Sequence, residues 1–318
     1  MKSALADFIE EVAMKIFITG GTGFVGRALT ARLLEGGHEL TLLTRSLHHA
    51  RPLPPGASYL EGDPTKQGAW QESIAQHDAV INLAGASIFR RWTDTAKQAM
   101  RESRILTTNH IVEALKARRP MQIHLLSASA IGYYGFHEDE ALDENSPPGN
   151  DFLADLARDW ESAALKARES GVRVVPTRFG VVLGKGGGAL EKLIPLFKRW
   201  LGSPLGSGKQ WFSWIHRQDL ASALAFLLEH QEIDGPVNCT APQPVRNEEM
   251  TKILGEVLGK PTFMPAVPGF VLHAVLGEFG SMLLKGQKVL PKNLMDSGFP
   301  FRFPELRGAL EDLLGSTR

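Results

Sequence analysis

Between residues 15 and 26 a short apolar run breaks into Gly20, Gly21, Gly23 and Gly26, and an amphipathic run resumes at Phe24. Spacing of this kind suits the capture of a diphosphate. Glycine permits the sharp turn and the close approach of backbone, and the helix that follows aims its unpaired N–H groups at the anion. The run satisfies GxGxxG from Gly21 and GxxGxxG from Gly20. A glycine-rich turn with no ligand is the alternative, but a strand before it and a helix after it are what the binding chemistry requires. Gly20, Thr22, Gly23, Phe24, Val25 and Gly26 are therefore the expected contacts.

The second apolar run, 39–44, ends in Arg45 and Ser46. A site that selects NAD carries Asp or Glu there, to accept from the ribose 2′-hydroxyl. A guanidinium beside a hydroxyl suits a 2′-phosphate instead, so NADP(H) is the expected cofactor; a solvated arginine is the alternative. Asp63 follows the third strand, where an adenine amino group would lie, or is an ordinary turn aspartate. Leu83, Ala84 and Gly85 end the fourth strand, at the sheet edge where such ligands bind.

Other residues could handle the substrate. Tyr133 or Tyr134, on the exit from a strand, could move a proton or simply pack. Trp211, Trp214 and His216 crowd one loop-like segment suited to a flat or sugar-like ligand, with Trp211 and His216 the expected substrate contacts and core packing the alternative. Lys97, Arg101 and Arg104 share one helix face, either lining a pocket or solvated. Cys239 lies in an expected buried strand and reads as a core residue.

The elements that must position these groups follow a βαβ rhythm. Strands are expected at 15–19, 39–44, 79–83, 122–127 and 172–179. Helices are expected at 24–35, 95–117 and 152–169, and further on at 190–201, 219–229 and 247–258, the last begun by Asn247 as its cap. The fold class is α/β: a Rossmann-type, doubly wound parallel sheet with a smaller C-terminal lobe. The expected organisation is an extension at 1–13, a nucleotide domain at 14–180 whose core reaches into 215–245, and a substrate lobe at 181–318, irregular after Lys260.

Lys plus Arg and Asp plus Glu number 35 each, so no overall field holds a polyanion. Neither nucleic acid nor a membrane is an expected partner. One cysteine excludes an internal disulfide and any CxxC metal cluster, so no metal is expected, and it fits a reducing cytoplasm. Residues 1–13 do not read as a secretory signal, and starts at Met1 and at Met14 both stay open. Monomer and homodimer are both compatible with the helices at 95–117 and 152–169.

Together, Gly62–Asp63, Asn82–Gly85, Ser127–Ser129 and Arg178–Gly180 bring a family into view. The chain resembles the extended short-chain dehydrogenase/reductases, the group of the NAD-dependent nucleotide-sugar epimerases and dehydratases. Residues 127–135, Trp160–Glu161, 210–216 and 289–294 make it similar to the epimerase-family 39U1, or YfcH-like, branch. The resemblance implies that Gly20, Gly23 and Gly26 carry the pyrophosphate, Arg45 and Ser46 the 2′-phosphate, Asp63 the adenine, and Leu83, Ala84 and Gly85 the rest of the cofactor. It also implies a Ser or Thr that holds the substrate oxygen, a role that Ser129 fits, and a Tyr and a Lys four residues apart for proton transfer. Counting back from Glu161, those positions hold Leu153 and Ala157, and neither transfers a proton.

Three functions follow. The first is an NADP(H)-dependent oxidoreductase or epimerase acting on a carbonyl or hydroxyl carbon of a small polar, nucleotide-sugar-like substrate. The second is an NADP(H)-binding sensor or scaffold with reduced catalysis. The third is a binding module built on 211–216.

Overall fold

The computed structural model describes residues 13–48, 50–117 and 123–315. The expected extension at 1–13 lies outside them, apart from its last residue, as does the first residue of the strand expected at 122–127. One sheet holds β1 (Lys15–Thr19), β2 (Glu39–Thr44), β3 (Ala57–Glu61), β4 (Ala79–Asn82), β5 (His124–Ala130), β6 (Arg173–Phe179) and β7 (Val237–Cys239). Their order is β3-β2-β1-β4-β5-β6-β7, and every neighbouring pair is parallel. The fold is the expected Rossmann-type sheet.

Parallel strands covered on both faces read as continuous apolar runs, and β1 shows why. Ile16 and Ile18 pack with Leu29 and Leu33 of α1 (Phe24–Glu35) on one face. Phe17, between them, packs on the other face with Ile111 and Leu115 of α2 (Asp94–Lys116). Each such burial contributes about 1.5–3 kcal/mol. The next helix, α3 (Phe152–Leu165), opens on the Asp151 carboxylate, which accepts from the Leu153 and Ala154 amides. Strand order reverses between β1 and β4, and the crevice beyond their C-terminal ends is where open α/β sheets bind ligands.

The C-terminal lobe has its own core. Leu190 and Phe197 of α4 (Gly188–Lys198), Trp214, Leu254 of α6 (Asn247–Val257) and Leu310 of α8 (Leu306–Leu314) pack together there. Between α4 and α6 runs α5 (Arg217–Glu229), which covers β1 beside α1. The lobe is less irregular than expected, because α7 (Gly269–Leu276) and α8 both follow Lys260.

Several expected boundaries move. Strand β5 runs on to Ala130, so Ser129 sits inside a buried strand. Helix α4 stops at Lys198 instead of 201, because Trp200 takes φ +67 and turns the chain. Asn247 is not the cap of α6; Arg246 is, with no side-chain bond. The Asn247 side chain instead accepts from the Leu205 amide at 2.8 Å and ties a lobe loop to the helix. Cys239 is fully buried in β7, and burial pushes its thiol pKa up.

Candidate functional site

The β1–α1 turn shows why these glycines stand where they do. Gly20 has φ +73, and a Cβ there would lie 2.8 Å from the carbonyl group of Leu83. The turn is closed by the Gly23 amide donating to the Gly20 carbonyl at 3.0 Å. A Cβ on Gly26 would lie 2.3 Å from that same carbonyl oxygen. Gly23 caps α1 without a side-chain bond, and the first helical bond is Arg27 N–H to the Gly23 carbonyl. The amides of Phe24, Val25 and Gly26 precede that bond, so they form the open N-terminus of the helix.

A groove of about 880 Å³ runs from this turn over the ends of β1, β2 and β4. Of the expected cofactor contacts, Gly20, Thr22, Gly23, Arg45, Ser46, Asp63, Leu83, Ala84 and Gly85 line it. Phe24, Val25 and Gly26 do not. The Phe24 ring instead fills the space against Gly184, Gly187 and Gly188, with the Arg217 guanidinium 5.1 Å from its centre. Arg27, Thr30, Arg51, Ser103 and Thr107 also line the groove and were not foreseen. Helical spacing held the signal for two pairs: Arg27 and Thr30 are three apart on α1, and Ser103 and Thr107 four apart on α2.

Asp63 accepts from the Thr65 amide at 3.0 Å and from its hydroxyl at 2.7 Å. Partial burial opposes its ionisation, but these two bonds and the charges of Lys66 and Arg45 outweigh it, and its pKa is lowered. The opposite wall is fixed by Asn82, which is fully buried. Its side-chain oxygen accepts from the Thr19 hydroxyl at 2.7 Å, and its Nδ2 donates to the Thr108 hydroxyl at 3.0 Å. That hydroxyl also accepts from Trp160 Nε1 at 3.0 Å. Ends of β1 and β4 are thus locked to α2 and α3.

Of the three cations spaced along α2, Lys97 pairs with Glu278 and Arg101 with Asp159. Arg104 turns inward and donates to the carbonyls of Ala86 at 3.1 Å and Met100 at 3.0 Å, with its guanidinium 5.0 Å from the Trp160 ring centre. Burial brings its pKa down to about 10. A Cβ on Gly85 would touch this guanidinium at 3.1 Å. Arg104 therefore sets the position of the groove wall.

Ser129 and Tyr134 belong to a buried network. Arg178 grips Glu161 through two bonds of 2.8 Å, and both side chains are under a tenth exposed. The Ser129 hydroxyl donates at 2.6 Å to Glu161 Oε1, the oxygen that also accepts from Arg178 Nε. Tyr134 donates to Asn238 Oδ1 at 2.7 Å and accepts from Arg178 at 2.9 Å. Burial pushes the Tyr134 pKa up to about 12 against the opposing pull of Arg178. Ser129 has one proton and gives it to Glu161, so toward a ligand it can only accept. Tyr133 differs: it is half-buried, and its ring covers Arg178 with the guanidinium carbon 3.5 Å from the centroid.

Leu153 and Ala157, at the positions where the resemblance implies a proton-transfer pair, are packed. A Cβ on Gly132 would lie 3.1 Å from the Leu153 Cβ, and Ala157 is 3% exposed.

Trp211 and His216 lie away from the groove. The Trp211 indole donates to Asp139 at 3.1 Å and is flanked by Arg246 at 3.9 Å and Lys288 at 4.9 Å from its ring. His216 is 1% exposed and caps α5, its Nδ1 accepting from the Gln218 amide at 3.1 Å. Burial pushes its pKa down to about 4; the Asp312 carboxylate, 3.4 Å from Nε2 without hydrogen-bond geometry, opposes this too weakly. The folded-state pKa lies below the unfolded value, so His216 contributes stability above about pH 6.5, lost as pH falls toward 4, for a total of about 3 kcal/mol. We expect His216→Gln to flatten the pH dependence of urea unfolding in that window; an unchanged slope would refute this assignment.

The sequence model of the NAD dependent epimerase/dehydratase family matches residues 16–239. The chain belongs to this family. A domain of unknown function, DUF1731, matches residues 267–313. Among relatives of this epimerase-family chain, the chloroplastic SDR39U1 homolog of Arabidopsis thaliana is 42% identical, over 96% of this chain and 88% of its own. The mouse (Mus musculus) epimerase family protein SDR39U1 is 40% identical, over 95% of this chain and 100% of its own. The human SDR39U1 structure (isoform 2), crystallised with NADPH, superposes with a TM-score of 0.81 at 35% identity, covering 96% of this chain and 100% of that one.

Proposed function

We propose that the chain binds NADP(H) in the groove at the β1–β4 crevice and acts as an oxidoreductase or epimerase on a carbonyl or hydroxyl carbon of a small polar substrate. The observation that carries this reading is the turn at Gly20–Gly26, where backbone leaves no room for a Cβ at Gly20 or Gly26 and where Gly20, Thr22 and Gly23, leading into α1, line a groove that also takes in Arg45 and Ser46. The residues fit the group: Gly20, Thr22, Gly23 and the opening of α1 would hold the diphosphate. Arg45 and Ser46 would hold the 2′-phosphate, Asp63 the adenine side, and Leu83, Ala84 and Gly85 the remainder. NADPH in the human relative's crystal supports the same choice. When bound, the nicotinamide supplies hydride chemistry, and the protein need only orient substrate and manage a proton.

For that proton we favour Tyr133, since Ser129 is committed to Glu161 and Tyr134 to Asn238. Tyr133→Phe is expected to lower turnover by about 100-fold, within the range for one general acid–base group, while NADPH affinity stays unchanged. Equal turnover by the variant would remove Tyr133 from this role. Arg45→Ala is expected to cut the preference for NADPH over NADH by about 10–100-fold, as the loss of a charge-assisted bond would. A preference that does not move would leave the 2′-phosphate assignment without its main support.

Packing of Leu153 and Ala157 favours a second reading, an NADP(H)-responsive sensor without turnover. A broad carbonyl panel that consumes no NADPH, alongside saturable NADPH binding, would select it. Among the described residues no helix is long and apolar enough to cross a membrane. We propose a reducing compartment, the cytoplasm, with which the chain's one buried thiol agrees.

A further inference from the structure

The lobe carries a face that the cofactor chemistry does not use. Segments 192–206 and 257–277 lie side by side: the Val267 amide donates to the Pro204 carbonyl, the Gly206 amide to the Val267 carbonyl, and Ser203 Oγ to the Pro265 carbonyl. Lys260 Nζ sits 5.2 Å from the Trp200 ring centre. Seven of the eleven exposed large hydrophobic residues among the described residues fall here: Leu196, Trp200, Leu201, Phe263, Met264, Phe270 and Val275. Phe263 and Phe270 are 70% and 77% exposed.

Helix α7 is apolar around almost its whole circumference, His273 being its one polar side chain. A helix of that composition is ordinarily buried, yet here Leu272 faces the core while Phe270 and Val275 face outward. Trp200, exposed and at φ +67, is the one described non-glycine residue with positive φ. Bulky residues avoid that conformation, and they hold it where the surroundings impose it, often at functional surfaces.

Charge decides what this face fits. Over 192–206 and 257–277 the sequence has Lys192, Lys198, Arg199 and Lys260 and no Asp or Glu. Two of the flanking acids are engaged elsewhere, Glu256 with Arg307 and Glu278 with Lys97; Glu191 sits in the first turn of α4. The balanced total of charges, which argued against an anionic membrane, averages over a whole molecule. A membrane senses only charges within about a Debye length, roughly 8–10 Å. We propose that this face docks peripherally on an anionic lipid surface, with Trp200, Phe263 and Phe270 entering the headgroup–acyl boundary and the cations meeting the headgroups. A second copy fits less well, because two-fold pairing sets like charges opposite one another.

The test is co-sedimentation of the full chain with vesicles of phosphatidylcholine alone or with added phosphatidylglycerol. Partition into the anionic vesicles, weakened by salt, is expected. Phe263→Ser and Phe270→Ser should each reduce it about tenfold. Both positions are largely exposed, so the urea midpoint and NADPH affinity should not change. Partition no greater than into phosphatidylcholine alone, or variants that bind as well as the parent, would overturn the proposal. So would a doubled mass in light scattering that Phe270→Ser abolishes, which assigns the face to a second copy.

Discussion

Gly26→Ala is expected to weaken NADPH binding by about 100-fold or more. Its Cβ would stand 2.3 Å from the Gly20 carbonyl oxygen and 2.6 Å from the Gly21 backbone, and neither belongs to a side chain that can rotate away. Helix α1 must therefore shift from the turn, and the amides at its start move with it. Each charge-assisted bond misplaced in this way costs about 1.5–3 kcal/mol, and tenfold in affinity is about 1.4 kcal/mol. Overpacking costs about 1–3 kcal/mol of stability as well. Fluorescence titration with NADPH, run beside a urea unfolding curve, separates the two effects. Affinity within threefold or so of the parent would contradict the assignment of this turn to the cofactor.

Removing one partner of the Arg178–Glu161 pair should be the most destabilising single change. Arg178→Met leaves the Glu161 carboxylate buried with only Ser129 to satisfy it, and also strips a donor from Tyr134. Breaking a buried pair from one side costs about 3–5 kcal/mol, whereas replacing both members by apolar residues of like volume is often close to neutral. The double variant Arg178→Met/Glu161→Met should accordingly be more stable than Arg178→Met alone. Urea midpoints of parent, singles and double close the cycle. Strict additivity would show that the two side chains do not act as a pair.

The parallel sheet and its cofactor turn were legible in the sequence because both are local. Apolar runs of β1 and β4 and the spacing of Gly20, Gly23 and Gly26 need no knowledge of distant residues. What escaped is long-range. Nothing near Ser129 in the chain says that its hydroxyl will donate to Glu161, 32 residues on, and so give its one proton away. His216 reads as a titrating residue until the structure buries it against the Phe303 ring, 4.0 Å from centroid to centroid. Asn247 has the residue type and context of a helix cap, yet a better partner in Leu205 takes its oxygen. Trp211 was legible as an aromatic in a special setting, but its neighbours Asp139, Arg246 and Lys288 come from three separate segments.

The central claim is that open helix amides hold a diphosphate while Arg45 reads the phosphate beyond it. Isothermal titration of the full chain with NADPH and, separately, NADH tests it most directly. The account predicts one saturable site, occupied more tightly by NADPH. Absence of saturable heat with either dinucleotide, or tighter binding of NADH, would contradict it.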